Sequence, residues 1–400
     1  ALQQFMSDSP WPKQAVCDQV QAEIAAHPAL QHGGVLILDE SSDKTAGEES
    51  AGAGRQHNGR LGKVELSVTT VGLTYAHPAT GTWVLIDGEL FLPEQWFSAA
   101  YAERRHAVGL PAERAFASKP ELGLQMIRRA QARGVPFELA ACDDLYGRNR
   151  AFRAGLDAAQ LQYAAEIPSD TQVYLQCPKV GVPRRRHTHG KPPTRLRVRS
   201  RHVPHEVRAL ARSGLTTWER VAVRPTERGE LIADFAVRPV WREWLVTRRD
   251  ADGRLTFVVL NAPETTPVQT LIERSCWRYF TERTYQDGKS ELGWADLQAR
   301  KYRAWEHHTA LTAAATWFVA GVKLEWRAAY ARDPELARQF ELEVLPALST
   351  ANVREMLQAV LPVPQLTPEQ ARAVVATHLV HRARSTASRL RTQRFHEDSG

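Results

Sequence analysis

Acidic residues follow two short apolar stretches of this sequence. The run Val35–Leu38 ends in Asp39-Glu40, and the run Pro136–Cys142 ends in Asp143-Asp144. Short apolar runs bounded by glycine and turn residues predict buried strands. If the two strands are parallel neighbours, their C-terminal ends lie at one edge of the sheet, where sites form. We therefore expect Asp39 and Asp143 to meet there, as a pair of carboxylates suited to hard divalent cations.

Each of these aspartates has an acidic neighbour, and strand geometry ranks the members of each pair. Successive side chains on a strand point to opposite faces, so Glu40 and Asp144 come second to Asp39 and Asp143. For the second pair, the choice rests on the Asp-x-x-Tyr-Gly spacing that begins at Asp143.

A third acid lies between two cations in a helical stretch that follows Pro267. Arg278, Glu282 and Lys289 are four and seven residues apart, which at about 100° per residue places them within ~40° of one another on the helix surface. One interpretation is an exposed ion-pair ladder with no further role. The other is a carboxylate that binds metal while its neighbouring cations hold phosphates. The spacing alone leaves both open.

The elements that must position these acids have a characteristic order. Three strands form a meander, and alternating helices and strands follow, which is the order of an RNase H-like core: an α/β fold whose mixed sheet is flanked by helices. The predicted strands are 35–38, 64–76, 82–91, 136–142 and 163–167; the predicted helices are 10–27, 93–106, 120–133 and 149–160; and 41–62 is predicted to be a loop.

Residues 175 to 265 depart from this alternation and predict a mostly β insertion. Prolines punctuate its first part, and short β-like runs then lead to a hairpin turn at Asp250–Gly253. Helical patterns resume after Pro267 and continue to the end of the chain. We therefore predict five segments: an N-terminal helical segment (1–32), the first part of the core (33–174), a basic and β-rich insertion (175–265), the rest of the core (266–326) and a helical, basic C-terminal region (327–400).

The charge of the protein points to an anionic partner. The net charge is +7 and the pI is near 9.3, and the basic residues are clustered. The stretch Lys179–Arg212 holds eleven Lys or Arg residues and one acid, and His381–Arg394 holds no acid. Such clustering is typical of proteins that bind a nucleic-acid phosphate backbone. A solvated basic loop without a ligand is the alternative.

Other features exclude several classes of protein. The cysteines form no Cys-x-x-Cys pair, which argues against a zinc site or disulfide framework and favours a reducing cytoplasm. No run of 18 uncharged apolar residues predicts a membrane span. The N-terminus shows no signal peptide and no initiator Met, so we expect an N-terminal segment to be missing. The glycine-rich stretch 52–62 lacks Gly-Lys-Ser/Thr, so no nucleotide cofactor is expected. We expect Trp218, Trp241 and Trp244 to fill the core of the insertion. The alternative is that they stack on an unpaired or flipped DNA base.

An ordered series of motifs gives this sequence a family resemblance. It resembles the bacterial insertion-sequence transposases with a DDE triad and a Tyr-Arg-Glu-Lys signature, and within them the insertion-sequence 701-like family. The matching pieces span nearly the whole chain: Leu2-Gln3-Gln4-Phe5 with Ser9-Pro10-Trp11, Gly54-Arg55-Gln56, Gly59-Arg60-Leu61-Gly62-Lys63, Leu90-Phe91-Leu92-Pro93 with Trp96, Asp143-Asp144-Leu145-Tyr146-Gly147, Asn261-Ala262-Pro263, Trp277-Arg278-Tyr279-Phe280-Thr281-Glu282 and Gln286-Asp287-Gly288-Lys289-Ser290-Glu291-Leu292-Gly293.

The resemblance implies a catalytic triad of Asp39, Asp143 and Glu282. These three acids would hold two Mg²⁺ ions, with Mn²⁺ able to substitute, for metal-dependent cleavage at inverted-repeat ends and strand transfer by a 3′-hydroxyl. The signature's tyrosine position falls on Ser275, which puts the contact made by that tyrosine in doubt.

The resemblance also implies how the protein meets its partners. Its partner would be double-stranded DNA, bound by a homodimer on paired ends in a nucleoid-associated, cytoplasmic setting. From the resemblance and the basic clusters, the expected DNA-contacting residues are Arg278, Lys289, Arg55, Lys63, Arg184, Arg185 and Arg186.

Two other functions remain open at this point. A decayed copy would bind DNA in a salt-sensitive way without cutting it. A structure-selective RNase H-like nuclease would cut branched or hybrid substrates without joining strands.

Overall fold

The predicted strands that carry Asp39 and Asp143 lie at the centre of a ten-stranded sheet in this computed structural model. The structure describes residues 2–45, 47–58, 62–183, 191, 194–199, 201–226, 229–330, 333–339 and 347–361, with 367–370, 372–373, 376 and 380. By its internal contacts the chain divides into two units, residues 1–350 and 351–400. The five-segment division of the sequence stays a prediction.

The strands are β1 (Val35–Lys44), β2 (Gly54–Asn58), β3 (Lys63–His77), β4 (Thr82–Phe91), β5 (Leu139–Cys142), β6 (Gln162–Ile167), β7 (Gln172–Val173), β8 (Val180–Gly181), β9 (Arg197–Val198), β10 (His205–Glu206), β11 (Glu219–Thr226), β12 (Gly229–Val240), β13 (Glu243–Arg249) and β14 (Leu255–Leu260). The helices are α1 (Leu2–Ser7), α2 (Lys13–Ala26), α3 (Ala102–Val108), α4 (Lys119–Ala132), α5 (Asp144–Gly147), α6 (Arg150–Ala158), α7 (Val207–Arg212), α8 (Val268–Ser275), α9 (Tyr279–Glu291), α10 (Tyr302–Ala329), α11 (Pro334–Gln339) and α12 (Thr350–Val360).

The core of the sheet has the strand order β4-β3-β1-β5-β6. β1, β5 and β6 are parallel to one another, and β3 is antiparallel to both β1 and β4. This order and these directions are those of an RNase H-like core. The fold class that the sequence predicts is therefore confirmed.

Both faces of the central strand β1 are buried. Leu36 and Leu38 join the larger apolar cluster on the face covered by α2 and α4, whereas Val35 and Ile37 join the cluster on the face of α8. A strand buried on both faces reads as a continuous apolar run rather than an alternating one. The alternation also assigns the next residues to faces: Asp39 falls on the α8 side and Glu40 on the other side.

Several of the predicted ends of strands and helices are wrong, because contacts with other elements decide where each element begins and ends. β1 continues past Asp39 to Lys44 because its antiparallel partner β3 extends that far, and β2 forms within the predicted loop 41–62. The first long helix begins at Lys13 rather than Pro10, with Pro12 as its N-cap residue. The predicted helix 93–106 is two short 3₁₀ turns followed by α3, since Trp96 is buried and its indole donates to the Ala53 carbonyl oxygen.

The β-rich insertion extends the core sheet. β14 pairs antiparallel with β6, and β13, β12 and β11 follow in turn. The insertion therefore continues the sheet beyond β6, the last strand of the core.

Among the described helices, none is long and apolar enough to cross a membrane.

Candidate active site

Strand register places Asp39 and Asp143 side by side. The last parallel pair between β1 and β5 is Leu38 with Cys142, so the two aspartates are the next residues along each strand. Neighbouring strands lie about 4.8 Å apart. Pairing between β1 and β5 stops at this point while β1 continues along β3, which opens a gap in the sheet at the two aspartates.

Local hydrogen bonds separate Asp143 from its neighbour Asp144. Asp143 is the N-cap of the short helix α5, and its Oδ1 accepts from the backbone N–H of Leu145 at 3.0 Å and of Tyr146 at 3.4 Å. These bonds leave Oδ2 available to another ligand. Asp144 forms an ion pair with Arg148 and its side chain is 47% exposed. The structure thus places Asp143, and not Asp144, beside Asp39.

The same distinction holds at the first pair of acids. Glu40 forms an ion pair with Lys119, at the start of α4 on the opposite face of the sheet. Asp39 faces α9, whose Tyr285 hydroxyl donates to the Asp39 carbonyl oxygen at 2.9 Å. Opposite Asp39 on β3 is Gly72, where a Cβ atom would lie 2.5 Å from that hydroxyl. Only glycine leaves room for this contact between α9 and the sheet.

Arg278 connects the third acid to the sheet. It immediately precedes α9, and its Nη2 donates to Glu282 Oε1 at 2.7 Å across one helical turn. Its Nη1 donates to Asp39 Oδ2 at 3.0 Å. Arg278 and Glu282 therefore lie on one side of the helix, as predicted. The Arg278 guanidinium also contacts Asp39 of the sheet, so it bridges Glu282 and Asp39.

Glu166 is a further acid at this site that the sequence did not single out. It lies near the end of β6, and its Oε1 accepts from Arg278 Nε at 2.9 Å. The sequence signal for Glu166 is its position near the end of a predicted strand, where it is the one charged residue of β6.

Three of the other predicted DNA-contacting residues lie within the described part of the chain. Lys289, at the end of α9, forms an ion pair with Asp43 of β1 at 3.1 Å. Arg55 on β2 and Lys63 at the start of β3 are exposed. Arg184, Arg185 and Arg186 fall outside the described residues.

The tryptophans of the insertion differ in their surroundings. Trp218 and Trp244 pack against the apolar core, and the guanidinium of Arg249 lies 4.2 Å from the ring centroid of Trp218. Trp241 is at the tip of the β12–β13 hairpin and is 39% exposed.

Ser275, at the tyrosine position of the signature, donates to the carbonyl oxygen of Ile272.

Burial raises the pKa values of both sheet aspartates. Burial raises the pKa of Asp39 to about 6, against the opposing effect of Arg278. Burial, together with the charges of Asp39 and Glu40, raises the pKa of Asp143 to about 7. Two buried carboxylates of like charge are costly to ionise together, and a nearby cation relieves that cost.

These pKa values predict a pH dependence of stability for the metal-free protein. Both pKa values lie above the usual value of 3.8, so between about pH 4 and pH 7 the folded state binds more protons than the unfolded state. The contribution of these groups to the free energy of unfolding then falls as pH rises. Urea unfolding in EDTA should show Asp143→Asn gaining stability over the wild type across this range. A difference that stays constant with pH, or shrinks, would contradict the assignment.

The donor set fits a hard divalent cation. It consists of carboxylates, two of them with raised pKa values, and such oxygens are the ligands that Mg²⁺ prefers. Within the described ranges, no three Asp, Glu, His or Cys side chains stand in a geometry that would hold a metal ion as they are. Arg278 is the cation that Asp39 and Glu282 share in this arrangement.

Sequence comparisons match this chain to a known family and to a related protein. Residues 1–230 match a family model described as DDE superfamily endonuclease, a span that includes Asp39 and Asp143 and ends before Glu282. The probable transposase for insertion sequence element IS701 of Microchaete diplosiphon is 26% identical over 310 residues, which are 75% of this chain and 69% of that protein.

One solved structure is a more distant likeness. The piggyBac transposase in its synaptic complex with hairpin DNA is 12% identical, with a TM-score of 0.36. The match covers 85% of this chain and 60% of that one, so this chain spans about three fifths of its length. Since the family model matches more than half of the sequence, the chain belongs to the DDE superfamily of endonucleases, and it is also similar to the probable transposase for insertion sequence element IS701.

Proposed function

We propose that this chain is a DNA transposase that cuts at the inverted-repeat ends of an insertion sequence and joins the freed 3′-hydroxyl to a target. The observation that carries the proposal is the meeting of Asp39 and Asp143 at the gap between β1 and β5, with Glu282 tied to Asp39 through Arg278. Family membership and the similarity to the insertion-sequence 701 transposase support the same conclusion.

Asp39, Asp143 and Glu282 would hold the metal ions. When bound, two Mg²⁺ ions, or Mn²⁺ in their place, would activate the attacking oxygen and stabilise the leaving one in an in-line displacement. Hydrogen bonds within the chain hold two of these carboxylate residues in place for the metal ions. The α5 backbone fixes Asp143 through Oδ1, and α9 fixes the backbone of Asp39 through Tyr285.

Basic side chains would bind the DNA around this site. Lys289 lies at the end of α9 next to Asp43, and the exposed Arg55 and Lys63 lie on the β2–β3 hairpin. Arg184, Arg185 and Arg186, in the basic stretch of the insertion, are proposed contacts from sequence. The proposal includes a homodimer on paired ends, acting on DNA in the bacterial nucleoid.

The test uses purified protein and labelled duplexes taken from the ends of the insertion sequence that encodes it. With Mg²⁺, nicks, hairpins and joined products are scored separately, and the same reaction in EDTA is the control. We expect nicking and joined products with Mg²⁺ and neither in EDTA. Salt-sensitive binding without cleavage in Mg²⁺ or Mn²⁺ would identify a decayed copy. Cleavage of branched duplexes without joining would identify a structure-selective nuclease.

A further inference from the structure

Glu166 stands at the same level as the two aspartates on a third parallel strand. Cys142 pairs with Leu38 of β1 on one side and with Ala165 of β6 on the other. The residues that follow are Asp39, Asp143 and Glu166. Ile37, Ala141 and Ala164, each two residues before one of these acids, all belong to the apolar cluster on the α8 side. Because side chains two residues apart on a strand point to the same face, the three acids lie on that face too. The sheet thus presents a row of three carboxylates.

Arg278 contacts two of these acids and Glu282 with three different nitrogens. Nη1 binds Asp39 at 3.0 Å, Nη2 binds Glu282 at 2.7 Å, and Nε binds Glu166 at 2.9 Å. The guanidinium is planar, and its donors point in fixed directions. An ion pair at Nε therefore fixes where the two Nη atoms lie.

The backbone of Glu166 is held firmly on two sides. Glu166 pairs with Val258 of β14, which joins it to the inserted strands. On the other side Gly147, the last residue of α5, packs so closely that a Cβ atom there would lie 1.8 Å from the Glu166 carbonyl oxygen. The helix that Asp143 caps is thus seated on the residue that binds Arg278, so one element positions both acids.

The side chain of Glu166 is also accessible to solvent. Together with Arg278 and Glu282 it lines a cavity of about 530 Å³ that is bounded by Arg248 of β13 and by Asp250 of the turn that follows. Glu166 is one quarter exposed and Glu282 is 55% exposed. Arg278 can therefore keep its bond to Glu166 while Glu282 turns towards another cation.

We propose that Glu166 is a positioning residue that anchors Arg278 when Asp39 and Glu282 bind metal. The inference rests on the proposed function. Within the described part of the chain, the remaining ion pairs of Arg278 are with Asp39 and Glu282, both proposed metal ligands. Without Glu166, a divalent cation would therefore have to displace the guanidinium completely. With Glu166 present, Arg278 retains one full ion pair after both Nη atoms are released.

The test measures metal binding directly as well as nicking. Mn²⁺ is titrated into wild-type protein and Glu166→Gln, and unbound Mn²⁺ is followed by electron paramagnetic resonance. Loss of a side chain that orients the ligands of a metal site typically weakens binding by about 10–100-fold, so we expect about tenfold weaker Mn²⁺ binding and a similar rise in the Mg²⁺ needed for half-maximal nicking. The matched control is Glu138→Gln, which removes the 2.7 Å ion pair between the residue that precedes β5 and Arg274 of α8, and it should leave both quantities unchanged.

A double variant separates positioning from direct ligation. If Glu166 acts only through Arg278, Glu166→Gln should have no further effect on Mn²⁺ affinity in an Arg278→Ala background. A further tenfold loss there would make Glu166 a metal ligand and overturn the proposal, as would wild-type affinity in Glu166→Gln. Glu166→Asp keeps the charge and guards against a folding defect: its affinity should lie between the other two, and an affinity no better than that of Glu166→Gln also counts against the proposal. Failure of the wild-type protein to bind Mn²⁺ would instead overturn the proposed metal site itself, and the anchoring role with it.

Discussion

Replacement of Asp143 by asparagine is expected to reduce metal-dependent nicking on the order of 10³-fold or more while the protein stays folded. A metal ion in such a site supplies several kcal/mol of transition-state stabilisation, and each 1.36 kcal/mol is a factor of ten in rate. Asparagine keeps the Oδ1 atom that accepts from the backbone of α5, and it is as good an N-cap residue as aspartate. Loss of activity would therefore report lost charge and metal binding, and not a lost helix.

The matched control is the adjacent substitution Asp144→Asn. Asp144 forms an exposed ion pair with Arg148, one turn along the chain, and pairs of this kind contribute about 0.3–0.5 kcal/mol. Asp144→Asn should therefore nick at the wild-type rate. Nicking is followed on the labelled end duplex with saturating Mg²⁺, and folding is checked by circular dichroism. Full activity in Asp143→Asn, or loss of activity only in Asp144→Asn, would show that Asp143 is the wrong member of the pair.

Sequence patterns predict the level of the sheet at which the two aspartates meet, although they misplace the end of β1. An apolar run such as Val35–Leu38 indicates burial on both faces, and the continuous burial ends where β5 ends, although Ser41 further along is buried again. Beyond Leu38 the strand continues against β3 alone, with polar residues, so the pattern looks like a loop. The change of composition falls where the parallel pairing with β5 ends, and Asp39 and Asp143 are the next residues there.

The role suggested for Glu166 could not be predicted from the sequence, because it depends on contacts between distant parts of the chain. Within β6 the residue looks like one polar position in a short strand. Its significance arises from the register with Asp143 and from Arg278, which is 112 residues away. The attachment of the insertion is non-local in the same way, since β14 reaches β6 across about ninety residues. Local periodicity contains neither kind of information.

Burial of a charged residue is equally invisible to sequence patterns, and Lys13 is the clearest case. The lysine looks like an exposed first residue of α2, yet its side chain is only 6% exposed. Its Nζ lies 3.2 Å from Glu89 and 3.8 Å from Asp87, and it donates to the Gly88 carbonyl oxygen at 2.7 Å. Burial alone would lower the pKa of Lys13, but Glu89 and Asp87 outweigh it and raise the pKa. The lysine is therefore charged, and it joins α2 to β4.

Lys13→Met is expected to lower the free energy of unfolding by about 3–5 kcal/mol, because removing one partner of a buried ion pair leaves the other charge uncompensated. Methionine keeps most of the apolar stem, so the loss should come mainly from the charge. Arg129 still contacts Asp87 at 2.8 Å and Glu89 at 2.9 Å, which favours the lower end of this range. Urea unfolding gives the value from the shift in midpoint at constant slope.

Two further variants show whether the buried charge is the cause. Lys301→Met removes an ion pair with Asp8 in which both side chains are about half exposed, and it should cost less than about 1 kcal/mol. Glu89→Gln also removes ion pairs with Arg129 and Arg114, so it is compared in two backgrounds. It should cost less in Lys13→Met than in the wild type, because there it also removes a carboxylate that has lost its lysine partner. If Lys13→Met costs no more than Lys301→Met, the ion pair is not stabilising. If Glu89→Gln costs as much in the Lys13→Met background as in the wild type, the two residues are not coupled and the destabilisation arises from packing.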